Sequence, residues 1–121
     1  MADSEMNPVL IVGGGIGGMA AALAFARNGI SSCVLEQASK FGEIGAGIQL
    51  GPNVFRMFDY LGVRERIDED AVRVEKLIMK DSLSAETITE VPLIGAFAER
   101  FGNPYAVSHR ADVHGALLQA C

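Results

Sequence analysis

Cysteine is scarce in this chain, with Cys33 in an apolar run and Cys121 at the last of 121 positions. Two thiols cannot build a disulfide framework or a four-ligand zinc site, so the sequence reads as a reduced, cytoplasmic protein with one core thiol at Cys33. Histidine is equally scarce, limited to His109 and His114. With Asp112 they invite a metal reading, but helical steps of about 100° per residue scatter the three side chains around the cylinder. Asp112 is better suited to the positive end of a helix. Basic residues form no block: 10 Lys and Arg against 15 Asp and Glu give a net charge of −5. That leaves no electrostatic footprint for nucleic acid or for an anionic membrane surface. The uncharged stretch from Pro8 to Ala26 has the length of a membrane span, yet glycines at 13, 14, 15, 17 and 18 cut it. The leader carries Asp3 and Glu5 where a signal peptide wants Lys or Arg. Neither a membrane segment nor a targeting segment is expected, and there is no internal repeat or low-complexity tract.

What is present is ordinary globular material: 50% hydrophobic, 21% charged, mean hydropathy +0.27, at a length near that of one domain. Glycine stands out, with ten of the 14 lying between Gly13 and Gly51. Val9-Leu10-Ile11-Val12 reads as a parallel strand covered on both faces. From Ile16 to Asn28, Met19, Ala20, Leu23, Ala24 and Arg27 recur at helical spacing, with Gly29 as the stop. Ser32-Cys33-Val34-Leu35 is the second strand, making residues 8–36 a right-handed βαβ unit. Residues 41–53 form an extended, glycine-punctuated passage. Pro52 then opens a helix with Val54, Phe55, Phe58 and Leu61 on its apolar face and Gly62 at its end. Phe55, Phe58 and Tyr60 read as core. Residues 72–80 and 87–91 predict an antiparallel hairpin. A short helix near 95–101, a turn at Gly102-Asn103-Pro104, a strand at 105–108 and a helix from about Arg110 complete the chain.

The chemistry lies in Gly13-x-Gly15-x-x-Gly18, set between the first strand and the first helix, with Glu36 following after seventeen intervening residues. Gly13 permits a tight turn off the strand, Gly15 lets a pyrophosphate approach the backbone, and Gly18 lets helix and strand pack closely. The helix N-terminus offers unpaired N–H groups and a positive dipole end to a diphosphate. Glu36, closing the second strand, can accept hydrogen bonds from ribose hydroxyls and would repel a 2′-phosphate. FAD or NAD therefore fits and NADP does not; the motif leaves those two open.

Three further blocks extend the pattern: Leu35-Glu36-Gln37; residues 42–53, Gly-Glu-Ile-Gly-Ala-Gly-Ile-Gln-Leu-Gly-Pro-Asn; and residues 101–107, Phe-Gly-Asn-Pro-Tyr-Ala-Val, followed by His109-Arg110-x-Asp112-x-His114. Together they resemble the N-terminal third of the single-component FAD-dependent aromatic hydroxylases. The last block is most similar to the 3-hydroxybenzoate 6-monooxygenase branch and its salicylate hydroxylase relatives.

The resemblance implies an α/β fold, a Rossmann-like βαβ FAD-binding unit followed by the start of an antiparallel substrate-domain sheet. It selects FAD over NAD as the bound cofactor. Glu36 and Gln37 would hold the adenosine ribose, backbone near Ala46 and Gly47 would approach the ribityl chain and flavin edge, and Arg110 would reach the pyrophosphate or ribityl region. The implied cofactor set is Gly13, Gly15, Ile16, Gly17, Gly18, Glu36, Gln37, Ala46, Gly47 and Arg110. No catalytic residue or metal ligand is among these. The parent would be a monooxygenase using NADH and O2 to convert 3-hydroxybenzoate to 2,5-dihydroxybenzoate; salicylate hydroxylation is the alternative, and a homodimer is one assembly the resemblance allows. The chain alone, as an N-terminal part, is expected to be inactive. Two other readings stand beside this one, a non-catalytic nucleotide-binding module and an NAD-dependent dehydrogenase. The residue 46–53 passage and the hairpin argue against the dehydrogenase, because a plain Rossmann unit would continue βαβ.

Overall fold

The computed structural model describes residues 7–41 and 46–121. Asp3, Glu5 and the 42–45 part of the glycine passage lie outside the described residues. Strands β1 (Val9–Val12) and β2 (Ser32–Leu35) pair in parallel, with Val9 opposite Ser32 and Val12 opposite Leu35. Helix α1 (Ile16–Arg27) crosses between them and ends where Gly29 takes φ +69°, a left-handed turn that glycine enters without a Cβ clash. Met19, Ala22 and Leu23 bury its inner face. The βαβ unit forms as its sequence predicts.

One face of its sheet does not. Ile11 and Val34 turn toward the covered side, whereas Leu10, Val12 and Leu35 are exposed, Val12 at 87%. A continuous apolar strand signals two covering layers, and among the described residues only one is present. Cys33, paired with Leu10 in the register, is exposed with them. The expected core thiol is a surface thiol.

A second sheet has three strands. Strand β3 (Gly47–Leu50) runs antiparallel to β7 (Ala106–His109), and β4 (Val72–Arg73) flanks β7 on its other side. The predicted 72–80 run is therefore two strands. Val72 and Arg73 belong to β7, and the hairpin begins only at β5 (Lys76–Lys80), pairing with β6 (Thr87–Pro92). Extended residues look alike in sequence whichever partner they take; here Val74 donates to the Tyr105 carbonyl at 3.0 Å, still bonded toward β7.

Helix α2 (Pro52–Leu61) starts on Pro52 and stops at Gly62, which takes φ +74°. Phe55 and Phe58 pack edge to face at 5.9 Å between centroids and are buried. Tyr60, expected in the core, lies at the surface, where its hydroxyl accepts a 2.8 Å hydrogen bond from Asn28 Nδ2. Helix α3 (Arg64–Asp70) follows, then α4 (Ala96–Phe101) and α5 (Arg110–Ala120). Leu50, Phe55, Val113 and Leu117 are the most buried large side chains. They bring β3, α2 and α5 into one core cluster with Met19 and Leu23 of α1.

Candidate cofactor site

The three motif glycines meet different demands. Gly13 takes φ +101°, outside the range of ordinary side chains, and its N–H donates to the Leu35 carbonyl at 2.7 Å. A Cβ on Gly18 would lie 1.9 Å from the Gly13 carbonyl oxygen, so this glycine is required for the loop and helix to touch at all. Gly15 has φ −73° and ψ −174°, which any residue adopts, and a Cβ there would meet nothing within 4 Å. Gly17 is equally open. Two glycines serve the fold; the openness at 15 and 17 serves whatever approaches α1. No side chain caps that helix N-terminus, so the N–H groups of its first turn lack intrahelical acceptors and suit an anion.

Glu36 stands beside the loop. Its Oε2 accepts the Gly14 N–H at 2.7 Å and its Oε1 accepts the Ala38 N–H at 2.8 Å. The Ala38 and Gly14 amides hold its carboxyl below the ordinary value of 4.5 against the opposing effect of burial, with smaller contributions from the Gln37 amide and the His114 ring. The carboxylate is charged at neutral pH, and its exposed oxygens retain lone pairs for hydroxyl donors.

His114 completes the corner from the far end of the chain. This residue is 6% exposed, and its Nε2 lies 2.6 Å from the Gly14 carbonyl oxygen. The Phe41 ring packs on the imidazole with centroids 5.6 Å apart. Gly14 is hemmed in as well, since a Cβ there would fall 2.5 Å from Phe41 Cε1 and 3.2 Å from Glu36 Oε2. A cleft of about 90 Å³ opens between Gly14, Gly15, Glu36, Lys40, Phe41 and His114. It has room for one sugar- or phosphate-sized group.

A second group of predicted residues lies at the start of α5. The Arg110 N–H donates to the Ala46 carbonyl at 3.0 Å, and Gly47 pairs with His109 across the β3–β7 ladder. Gly47 also has nothing within 4 Å of a Cβ position. Arg110 and His114 are four residues apart on α5 and share one face, so this helix links the Ala46–Gly47 backbone to the glycine loop. Ile16 opens α1 and packs partly on the core. Gln37 is exposed beside Glu36 and does not line the cleft. Sequence reasoning missed Gly14, Phe41 and His114; the one available signal was the four-residue step from Arg110 to His114.

The chain offers what a dinucleotide needs: an uncapped helix N-terminus, open backbone at two glycines, and a charged carboxylate at the adjoining strand end. Among the described residues no helix is long and apolar enough to cross a membrane, and no group of three or more His, Cys, Asp or Glu is gathered to hold a metal. Residues 6–118 match the family described as FAD binding domain. The chain is 55% identical over 120 residues to the 3-hydroxybenzoate 6-hydroxylase of Polaromonas naphthalenivorans (strain CJ2), covering 98% of this chain and 30% of that protein. It is 49% identical to the enzyme of the same description from Klebsiella oxytoca, covering 97% and 30%. Klebsiella pneumoniae HpxO, solved in complex with FAD and uric acid, superposes with a TM-score of 0.82 at 26% identity, covering 93% of this chain and 28% of that one. The chain thus spans about 30% of the length of the curated relatives it matches. With its glycine loop, strand-end glutamate and Rossmann-like βαβ unit, the chain belongs to the FAD binding domain family, alongside the FAD-dependent aromatic monooxygenases.

Proposed function

We propose that this chain is the N-terminal part of the FAD-binding domain of a longer flavoprotein monooxygenase, one that hydroxylates 3-hydroxybenzoate at position 6. The observation that carries the reading is the 55% identity to a 3-hydroxybenzoate 6-hydroxylase across 98% of this chain. The reaction converts a ring C–H to C–OH, giving 2,5-dihydroxybenzoate. One oxygen atom of O2 enters the ring and the other leaves as water, as NADH and one proton are consumed and NAD+ is released. Free thiols at Cys33 and Cys121 suit the reducing cytoplasm in which NADH is available.

FAD, when bound, supplies the electron transfer and oxygen activation; this chain binds and orients it. Gly15, Ile16, Gly17 and Gly18 would offer backbone N–H groups to the diphosphate, Gly13 sets the turn, and Glu36, with Gln37 exposed beside it, would hold the ribose hydroxyls. The Ala46–Gly47 backbone would approach the ribityl chain, and Arg110, at the head of the helix it bonds to, would offer a guanidinium fork to phosphate or ribityl oxygens. The test is turnover by the intact enzyme with 3-hydroxybenzoate, NADH and O2, resolving products by chromatography. One 2,5-dihydroxybenzoate per NADH is expected. NADH oxidation without a hydroxylated product, or turnover of salicylate to catechol in preference, would refute it.

A further inference from the structure

We propose that His114 is a positioning residue for the cofactor loop: by holding the Gly14 carbonyl it turns the Gly15 N–H toward the FAD diphosphate. The inference rests on the glycine loop being the diphosphate site. Both ends of residue 14 are pinned by side chains. Its N–H goes to Glu36 Oε2 at 2.7 Å, and its carbonyl meets His114 Nε2 at 2.6 Å. A carbonyl oxygen only accepts, so Nε2 carries the hydrogen.

The next peptide unit is planar and trans, so its C=O and N–H point in opposite directions. Fixing the Gly14 oxygen against α5 therefore fixes the Gly15 N–H away from α5. Around it, a Cβ on Gly15 would meet nothing within 4 Å, and no side chain caps the helix that follows. Without the imidazole the peptide is free to flip, and a carbonyl oxygen would then face the phosphates with like partial charge. Phe41 packs on the ring and fills the position where a side chain on residue 14 would go. His114 has no role in the oxygen chemistry here; it acts through the loop.

The experiment uses the intact flavoprotein, stripped of FAD and reconstituted. His114→Met removes the donor while filling the space, and His114→Gln restores an N–H donor near the same place. Two readouts are taken, the FAD dissociation constant and the ³¹P resonances of the bound diphosphate. His114→Met should weaken FAD by about tenfold and move the ³¹P resonances. His114→Gln should recover most of the affinity and return the resonances. The proposal is overturned if His114→Met leaves both readouts at wild-type values, or if Gln and Met lose affinity alike.

Gly15→Ala separates failure of this proposal from failure of the reading beneath it. Its backbone angles suit alanine and its Cβ enters open space, so the apoprotein should melt normally and FAD binding should fall. Unchanged FAD affinity in that variant would remove the loop from the cofactor site, and both readings with it. Lost affinity there, beside normal ³¹P spectra in the His114 variants, would remove only the positioning role.

Discussion

Gly17 and Gly18 are neighbours in sequence with opposite tolerances. A methyl at 18 meets the Gly13 oxygen at 1.9 Å, while at 17 it meets nothing within 4 Å. Gly18→Ala is expected to lower stability by about 1–3 kcal/mol, the usual range for overpacking. Gly17→Ala should raise apoprotein stability by up to about 1 kcal/mol, because alanine favours the helix, yet weaken FAD. Urea denaturation and FAD titration together check both signs. Glu36 gives a pH prediction. Its folded carboxyl titrates below the ordinary 4.5, so its contribution is present above that value and lost as pH falls through the lower one. The melting difference between wild type and Glu36→Gln should shrink as pH falls below about 4.5, the ordinary carboxyl value; a difference that grows there would contradict the hydrogen bonds to Gly14 and Ala38. Gly13, Gly18 and Glu36 were legible because each is forced by local backbone or by a fixed spacing. His114 was not, because its partner is 100 residues away; the four-residue step from Arg110 puts it on the same helix face but does not name the Gly14 carbonyl it meets.

Elements divide along the same line. β1, α1, β2 and α2 were legible from apolar runs and glycine stops. Helix α3 was not: its Arg-Glu-Arg-Ile-Asp-Glu-Asp sequence has one buried residue, Ile67, and is held at the surface by pairs such as Arg64–Asp68 at 2.7 Å. Without an apolar stripe there is no period to read. β3 was read as extended, but its partner β7 lies over fifty residues on. The hairpin carries its own prediction. Its turn is bound by Asp81, whose Oδ1 accepts the Leu83 and Ser84 N–H groups at 2.9 and 2.8 Å. Ala85 in the same turn takes φ +59°, a left-handed conformation costing an L-residue about 1–2 kcal/mol. Ala85→Gly should stabilise the protein by about 1 kcal/mol after glycine's greater unfolded freedom is subtracted, and Ala85→Val should destabilise it. Thermal melts of the two variants should move in opposite directions.

For the molecule as a whole, the bare face formed by Leu10, Val12 and Leu35 is apolar surface on a chain that spans about 30% of the length of its curated relatives. Produced by itself, the 121-residue chain is expected to bind a hydrophobic dye such as ANS and to show no 3-hydroxybenzoate-stimulated NADH oxidation. The longer monooxygenase proposed above should show the reverse; equal dye binding by both would mean the face stays open in it. The contact between residues 14 and 114 has a further consequence, for the order of events during translation. Glycines 13–18 leave the ribosome early, but the imidazole that grips their loop emerges a hundred residues later, and α1 gains its α5 neighbour only then. A nascent chain halted before α5 has the fingerprint but lacks the imidazole hold on its loop. FAD capture should therefore begin only after α5 has been released, and nascent chains stalled on either side of His114 should differ sharply in the flavin they retain.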